Sequence, residues 1–254
     1  MRFKVQLEKI LSIGGKRRII GYLMVLAFNI QIAILAAKQM ESINNFHIND
    51  IYILFSRLIY FALYYIPIFL TIISVEDILN DYLILTRLKD LNIWWKNKFK
   101  LLSLDTGLYV IFLELPIIVT AIIYIGIPQI LETKTLLFMA ADFIIKYLIF
   151  LIIGIIYNIS SFVSKRQYIG FVAGFFAGGF DYILQLCNLD RYAMTITGML
   201  LKFFISSDLP TGKFLSLAIV YCFYLVFLSL FLFLVSREIL RKIDVGRGDF
   251  KLKS

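Results

Sequence analysis

Apolar stretches of roughly 20 residues, the length at which an α-helix crosses a hydrocarbon core about 30 Å thick, recur along this chain and restrict its fold more than any other feature. In lipid every backbone N–H and C=O must be satisfied internally, so a spanning segment is either a helix or a strand of a closed barrel. A barrel leaves short segments of alternating polarity. Here runs such as YVIFLELPIIVTAIIYIGI and YLVFLSLFLFLV are solidly apolar. The chain therefore reads as an all-α, polytopic integral membrane protein. Composition agrees: 61% of residues are hydrophobic and 17% charged, against roughly 45–50% and 25% in soluble domains.

Six spans are expected: 19–37, 51–74, 106–127, 136–156, 168–186 and 214–236. Pro67 marks a kink in the second span, and Pro116 lies inside the third. Residues 1–13 carry Phe3, Leu7, Ile10 and Leu11 at helical spacing, which suits a short helix in the membrane surface. Gly14-Gly15 is expected to break it before Lys16, Arg17 and Arg18 open the first span. No cleavage site follows the first apolar run, so that span is expected to be retained. The whole chain, 1–254, reads as one transmembrane domain: an interfacial element at 1–18, an amphipathic region at 75–105, an outer region at 187–213 and a tail at 237–254. Within the outer region, 192–205 is too interrupted for a crossing and reads as a re-entrant or surface helix.

Lysine and arginine set the orientation, since cytoplasmic loops carry their excess. Nineteen fall in the N-terminal region, 75–105, the 165–166 link and the C-terminal tail, whereas Lys38, Lys134, Arg191, Lys202 and Lys213 lie on the other side. Both termini are thus expected in the cytoplasm. The net charge of +9 is accounted for by these flanks and their contact with anionic lipid, with no basic domain large enough to bind nucleic acid. Cys187 and Cys222 read as small hydrophobes, in neither a CxxC motif nor a secreted disulfide framework. With His47 the only histidine, and no HExxH, GxSG or phosphate-cradling glycine loop, no catalytic, metal or nucleotide site is expected in this chain.

Charges within the apolar runs carry the remaining information. Arg57, Glu114, Asp142, Lys146 and Asp181 would each cost about 2.5–3.5 kcal/mol at a helix centre on insertion scales, so each requires a partner or a wet cavity. Asp142 and Lys146 stand four apart and can pair on one helix face. Glu114 and Asp181 have no local partner, and Arg57 and Lys146 are their candidate counter-ions. Pathway lining and structural pairing both remain open for these groups. Gly170, Gly174 and Gly178 repeat every four residues on the fifth span. They form a small-residue seam for helix packing, either within the chain or between two copies.

Residues 75–105 alternate Leu83, Ile84, Leu85, Leu88 and Leu91 with Thr86, Arg87, Lys89 and Asp90, and then present Trp94 and Trp95, a pair suited to an interfacial belt. The segment EDILNDYLILTRLKDLNIWWKNKFK, placed between spans two and three, resembles the cytoplasmic stretch of type-2 ATP-binding-cassette permeases. Glu76 stands at its acidic start and Lys98 near the family's lysine, while the family's glycine–threonine near Tyr82–Leu85 and its proline near Lys89 are missing. The N-terminal surface helix, six spans and outer re-entrant region are also similar. This resemblance implies a dimeric pore, made with a second copy or a homologous permease. It also implies separate cytoplasmic ATPase subunits that bind ATP and Mg. A coupling helix would lie at 76–91, with Glu76, Asp77, Tyr82, Leu85, Thr86, Arg87 and Lys89 meeting the ATPase. Small permeases of this kind export antimicrobial peptides or lipids, or confer self-immunity. The Ile-, Lys- and Asn-rich usage fits a bacterial plasma membrane. The alternatives are an energy-independent channel or toxin-immunity protein, and a membrane enzyme acting through His47 or the buried acids.

Overall fold

The computed structural model describes residues 2–40, 48–75, 91–189, 210–241, 243–244 and 251–252. These residues form an antiparallel helical bundle: α1 (Arg2–Met40), α2 (Ile48–Phe55), α3 (Leu58–Tyr60), a π-helical turn (Phe61–Tyr65), α4 (Ile66–Ser74), α5 (Leu91–Tyr124), α6 (Ile127–Ile130), α7 (Thr133–Ser164), α8 (Gln167–Leu186) and α9 (Thr211–Arg241). A two-residue antiparallel ladder pairs Ile243–Asp244 with Lys251–Leu252. Among the described residues, five helices are long and apolar enough to cross a membrane: Gly15–Leu35, Asn92–Tyr124, Thr133–Ser164, Gln167–Leu186 and Thr211–Leu240. The stretch Leu58–Ser74 is apolar but shorter.

Several sequence expectations are corrected. Gly14-Gly15 does not break the chain, because α1 runs through both residues as one 39-residue helix. A glycine in a helix interior costs only about 1 kcal/mol relative to alanine, too little to end a helix that continues on both sides. The helix that carries the third span begins at Leu91, so residues 91–105 belong to the 34-residue α5 and not to a separate loop. At 1.5 Å per residue α5 is about 50 Å long, well beyond an apolar core of about 30 Å. In the second span the irregularity lies ahead of Pro67. The helix stops at Phe55, resumes at Leu58 and widens into the π turn. Pro67 takes the second position of α4, and its ring would crowd the carbonyl of Leu63 in a regular helix. The wider π turn absorbs that clash over the preceding residues.

Two turns need backbone conformations that side chains rarely adopt. Gly126 carries the chain from α5 into α6 at φ 90°, an angle open to glycine. Lys165 holds φ 57° in the tight turn from α7 to α8, where Ser164 Oγ accepts the Arg166 N–H at 3.3 Å.

The core is a layer of aromatic and branched side chains between α4, α5 and α7. Phe69, Tyr109 and Phe150 meet there with ring centres 5.0–5.2 Å apart. The small-residue seam of α8 is used inside the chain. A Cβ on Gly170 would lie 2.6 Å from Ser161 Cβ and 2.8 Å from the Tyr157 carbonyl oxygen on α7. One on Gly174 would meet Leu70, and one on Gly178 would meet Ile66 of α4 and Ile153 of α7. The opposite face of α8 exposes Val172, Phe176 and Phe180, as a lipid-facing surface does.

Candidate functional site

Glu114 lies in the second half of α5, two residues before Pro116, and Asp142 and Lys146 lie one turn apart on α7. All three are buried. Lys146 Nζ stands 2.6 Å from Asp142 Oδ2 and donates to Glu114 Oε1. The spacing of Asp142 and Lys146 was legible, but they are not a self-contained pair: Lys146 is also the counter-ion of Glu114. In a low-dielectric interior these attractions are strong, and stranding any one charge is costly. With every member ionised the cluster carries one positive and two negative charges.

Aromatic side chains close around it. The Tyr52 ring of α2 lies 6.0 Å from Lys146 Nζ and meets Phe138 edge-on at 4.8 Å. The Tyr52 hydroxyl is buried without a hydrogen-bond partner. Next to Glu114, the Leu113 carbonyl accepts Asn29 Nδ2 of α1 at 3.2 Å. Asn29 Oδ1 in turn accepts the Tyr65 hydroxyl at 2.5 Å, and the Tyr65 carbonyl accepts the Tyr109 hydroxyl at 2.6 Å. The bonded Leu113 carbonyl lies in the turn disturbed by Pro116. The carbonyl that Pro116 leaves without its helical donor is that of Phe112, one residue earlier, so the Asn29 bond ties α1 to α5 beside that gap.

Toward the start of α5 a second polar group was not foreseen. Arg18 of α1 pairs with Asp105 at 2.8 Å, and the Tyr22 hydroxyl donates to the same carboxylate at 3.1 Å. Asp105 had been read as the last residue before a span; only its place inside α5 buries it. Nearer the helix start, Trp94 and Trp95, expected at the membrane interface, are packed inside the bundle. Trp94 lies 4.9 Å from Phe162 of α7, and Trp95 lies 6.3 Å from Phe233 of α9. Because residues 91–105 are helical, those positions turn inward toward α7 and α9. Lys98 is also buried, its ammonium 5.4 Å from the Trp94 ring, and Arg237 Nε donates to Asn92 at 3.0 Å. The first half of α5 therefore joins α1, α7 and α9 at one end of the bundle. That end carries Lys16, Arg17, Arg18, Lys96, Lys100, Lys165 and Arg166, while Lys134 and Lys213 start helices at the other end.

Arg57 differs from its expectation. It is exposed, caps α3 in extended conformation at the helix break, and faces the Tyr60 ring at 5.9 Å. The break explains this, since an arginine beside unpaired backbone is not held in a helix interior. Asp181 is buried on α8. Glu76, Asp77, Tyr82, Leu85, Thr86, Arg87 and Lys89 lie outside the described residues, as do His47 and 192–205. Among the described residues, no group of three or more His, Cys, Asp or Glu is placed to hold a metal ion.

Helices of this length and apolarity around a buried charge cluster define a multi-pass membrane protein. Comparison with protein-family models, with curated proteins and with solved structures returned no match.

Proposed function

We propose that this chain is the membrane-spanning permease subunit of an ATP-binding-cassette exporter in a bacterial plasma membrane. It pairs with a second copy or a homologous permease to form a pathway for a peptide or lipid-like amphiphile. ATP and Mg bind, and hydrolysis occurs, on separate cytoplasmic ATPase chains. In this reading the broken path α2–α4 is the sixth crossing, and the lysine- and arginine-rich end, with both termini, faces the cytoplasm.

One observation carries the reading: residues 76–90 lead directly into the part of α5 that is fastened to α1, α7 and α9 by Arg18–Asp105, Trp94–Phe162 and Arg237–Asn92. A force applied by an ATPase to that segment would reach four long helices through one joint. The test is the double charge reversal Arg87→Glu/Lys89→Glu, assayed with the ATPase that co-purifies with the wild-type chain. A severalfold loss of stimulated ATP hydrolysis is expected with unchanged membrane insertion. Full stimulation in the variant counts against the coupling role, and activity that survives loss of the ATPase favours an energy-independent channel or immunity protein.

A further inference from the structure

We propose that Glu114, Asp142 and Lys146 form an intramembrane proton-binding site, with one proton held between the two carboxyl groups opposite the lysine. Both carboxyls contact the same ammonium, so an oxygen of each is held close to the other. Two carboxylates gathered on one ammonium repel each other, and like charges this close ionise together only at large cost. Charge balance gives the same answer, because a single ammonium neutralises one carboxylate and the surplus negative charge is buried in an apolar bundle. A second feature points to the same place. The wholly buried Tyr52 hydroxyl has no hydrogen-bond partner, and its ring lies 6.0 Å from Lys146 Nζ.

No other cation serves as the balancing charge among the described residues packed around the site. Tyr52 from α2 and Tyr65 from the π turn face it. α4 carries no titratable side chain, and α1 contributes the neutral Asn29. On α5 the next acid, Asp105, is engaged by Arg18 more than two turns away. On α9 the Tyr221 ring meets that of Tyr224 at 5.6 Å. Arg57 is exposed at the helix break. A proton is the ligand that fits without added volume. The site links α5 to α7, so gain or loss of that proton changes the strength of this link. The proposal stands independently of the exporter reading.

Infrared spectra of the purified full chain in lipid nanodiscs provide the test. At neutral pH, well above the range near 4 where solvated carboxyls ionise, the wild type is expected to show a protonated-carboxyl C=O band that shifts in heavy water. The band should disappear in Glu114→Gln and equally in Asp142→Asn, because either change leaves one carboxylate facing one ammonium. It should persist in Asp181→Asn. Isotope labelling of glutamate carboxyls, and separately of aspartate carboxyls, in the wild type should shift the band in both cases, which tests sharing even if a variant fails to fold. Absence of the band in the wild type, its persistence in both variants, or its response to only one label overturns the proposal.

Discussion

Lys146 holds two carboxylates from two helices, and at the residue scale that asymmetry governs what substitutions do. Removing the ammonium strands both acids, whereas removing one acid leaves a one-to-one pair. Breaking a buried ion pair by deleting one partner costs about 3–5 kcal/mol. Lys146→Met is therefore expected to lower stability by about that amount in reversible mixed-micelle unfolding. Glu114→Gln and Asp142→Asn should lose much less, and equal losses for all three would contradict the two-on-one geometry. The Asp142–Lys146 spacing was legible because helix periodicity places residues four apart on one face. Glu114 could be seen to need a partner but not which one, since Lys146 is 32 positions away and only the packing of α5 on α7 brings them together. Tyr52 and Asp105 gave no signal, because residues of these types are ordinary near the ends of spans, and Asn29, at the middle of the first span, was passed over because it is uncharged.

Among the elements, α8 shows most directly how side-chain volume sets the approach of helices. A methyl group at Gly170 would press on the Tyr157 carbonyl oxygen, which cannot rotate away, while at Gly178 it would meet only the tips of Ile66 and Ile153. Gly170→Ala is expected to destabilise by about 1–3 kcal/mol, in the range for overpacking, and Gly178→Ala by less. Gly212→Ala, with open space around it at the start of α9, should be neutral or slightly stabilising. Thermal denaturation in detergent would rank the three, and Gly170→Ala as mild as Gly212→Ala would argue against the close α7–α8 contact. The seam itself was readable from its four-residue repeat. Its partner was not, because glycine spacing is the same whether the approaching helix belongs to the same chain or to another. The boundaries of α5 were missed for a related reason. Polar residues such as Asp105, Lys98 and Asn92 look like loop in a hydropathy trace, yet Arg18, Trp94 and Arg237 satisfy them within a continuous helix.

For the whole molecule, the charge asymmetry read along the sequence coincides with the two ends of the bundle, which makes topology testable. In a background lacking Cys187 and Cys222, a cysteine at exposed Glu132 is expected to react with an impermeant maleimide on intact cells. A cysteine at exposed Gln167 should react only after permeabilisation, and the reverse pattern would invert the bundle. The helical class was legible throughout, because apolar length is a local property. The stretch 51–74 was legible as apolar but not as broken, since the interruption at Ser56–Arg57 depends on the backbone and not on hydropathy. The aromatic joint at the basic end has one more consequence. The chain contains only two tryptophans, and both sit in that joint, so ultraviolet emission from the unlabelled protein reports on a single spot. If the ends of α5, α7 and α9 separate during a working cycle, the indoles gain water and their spectrum moves to longer wavelength in real time, with no introduced dye.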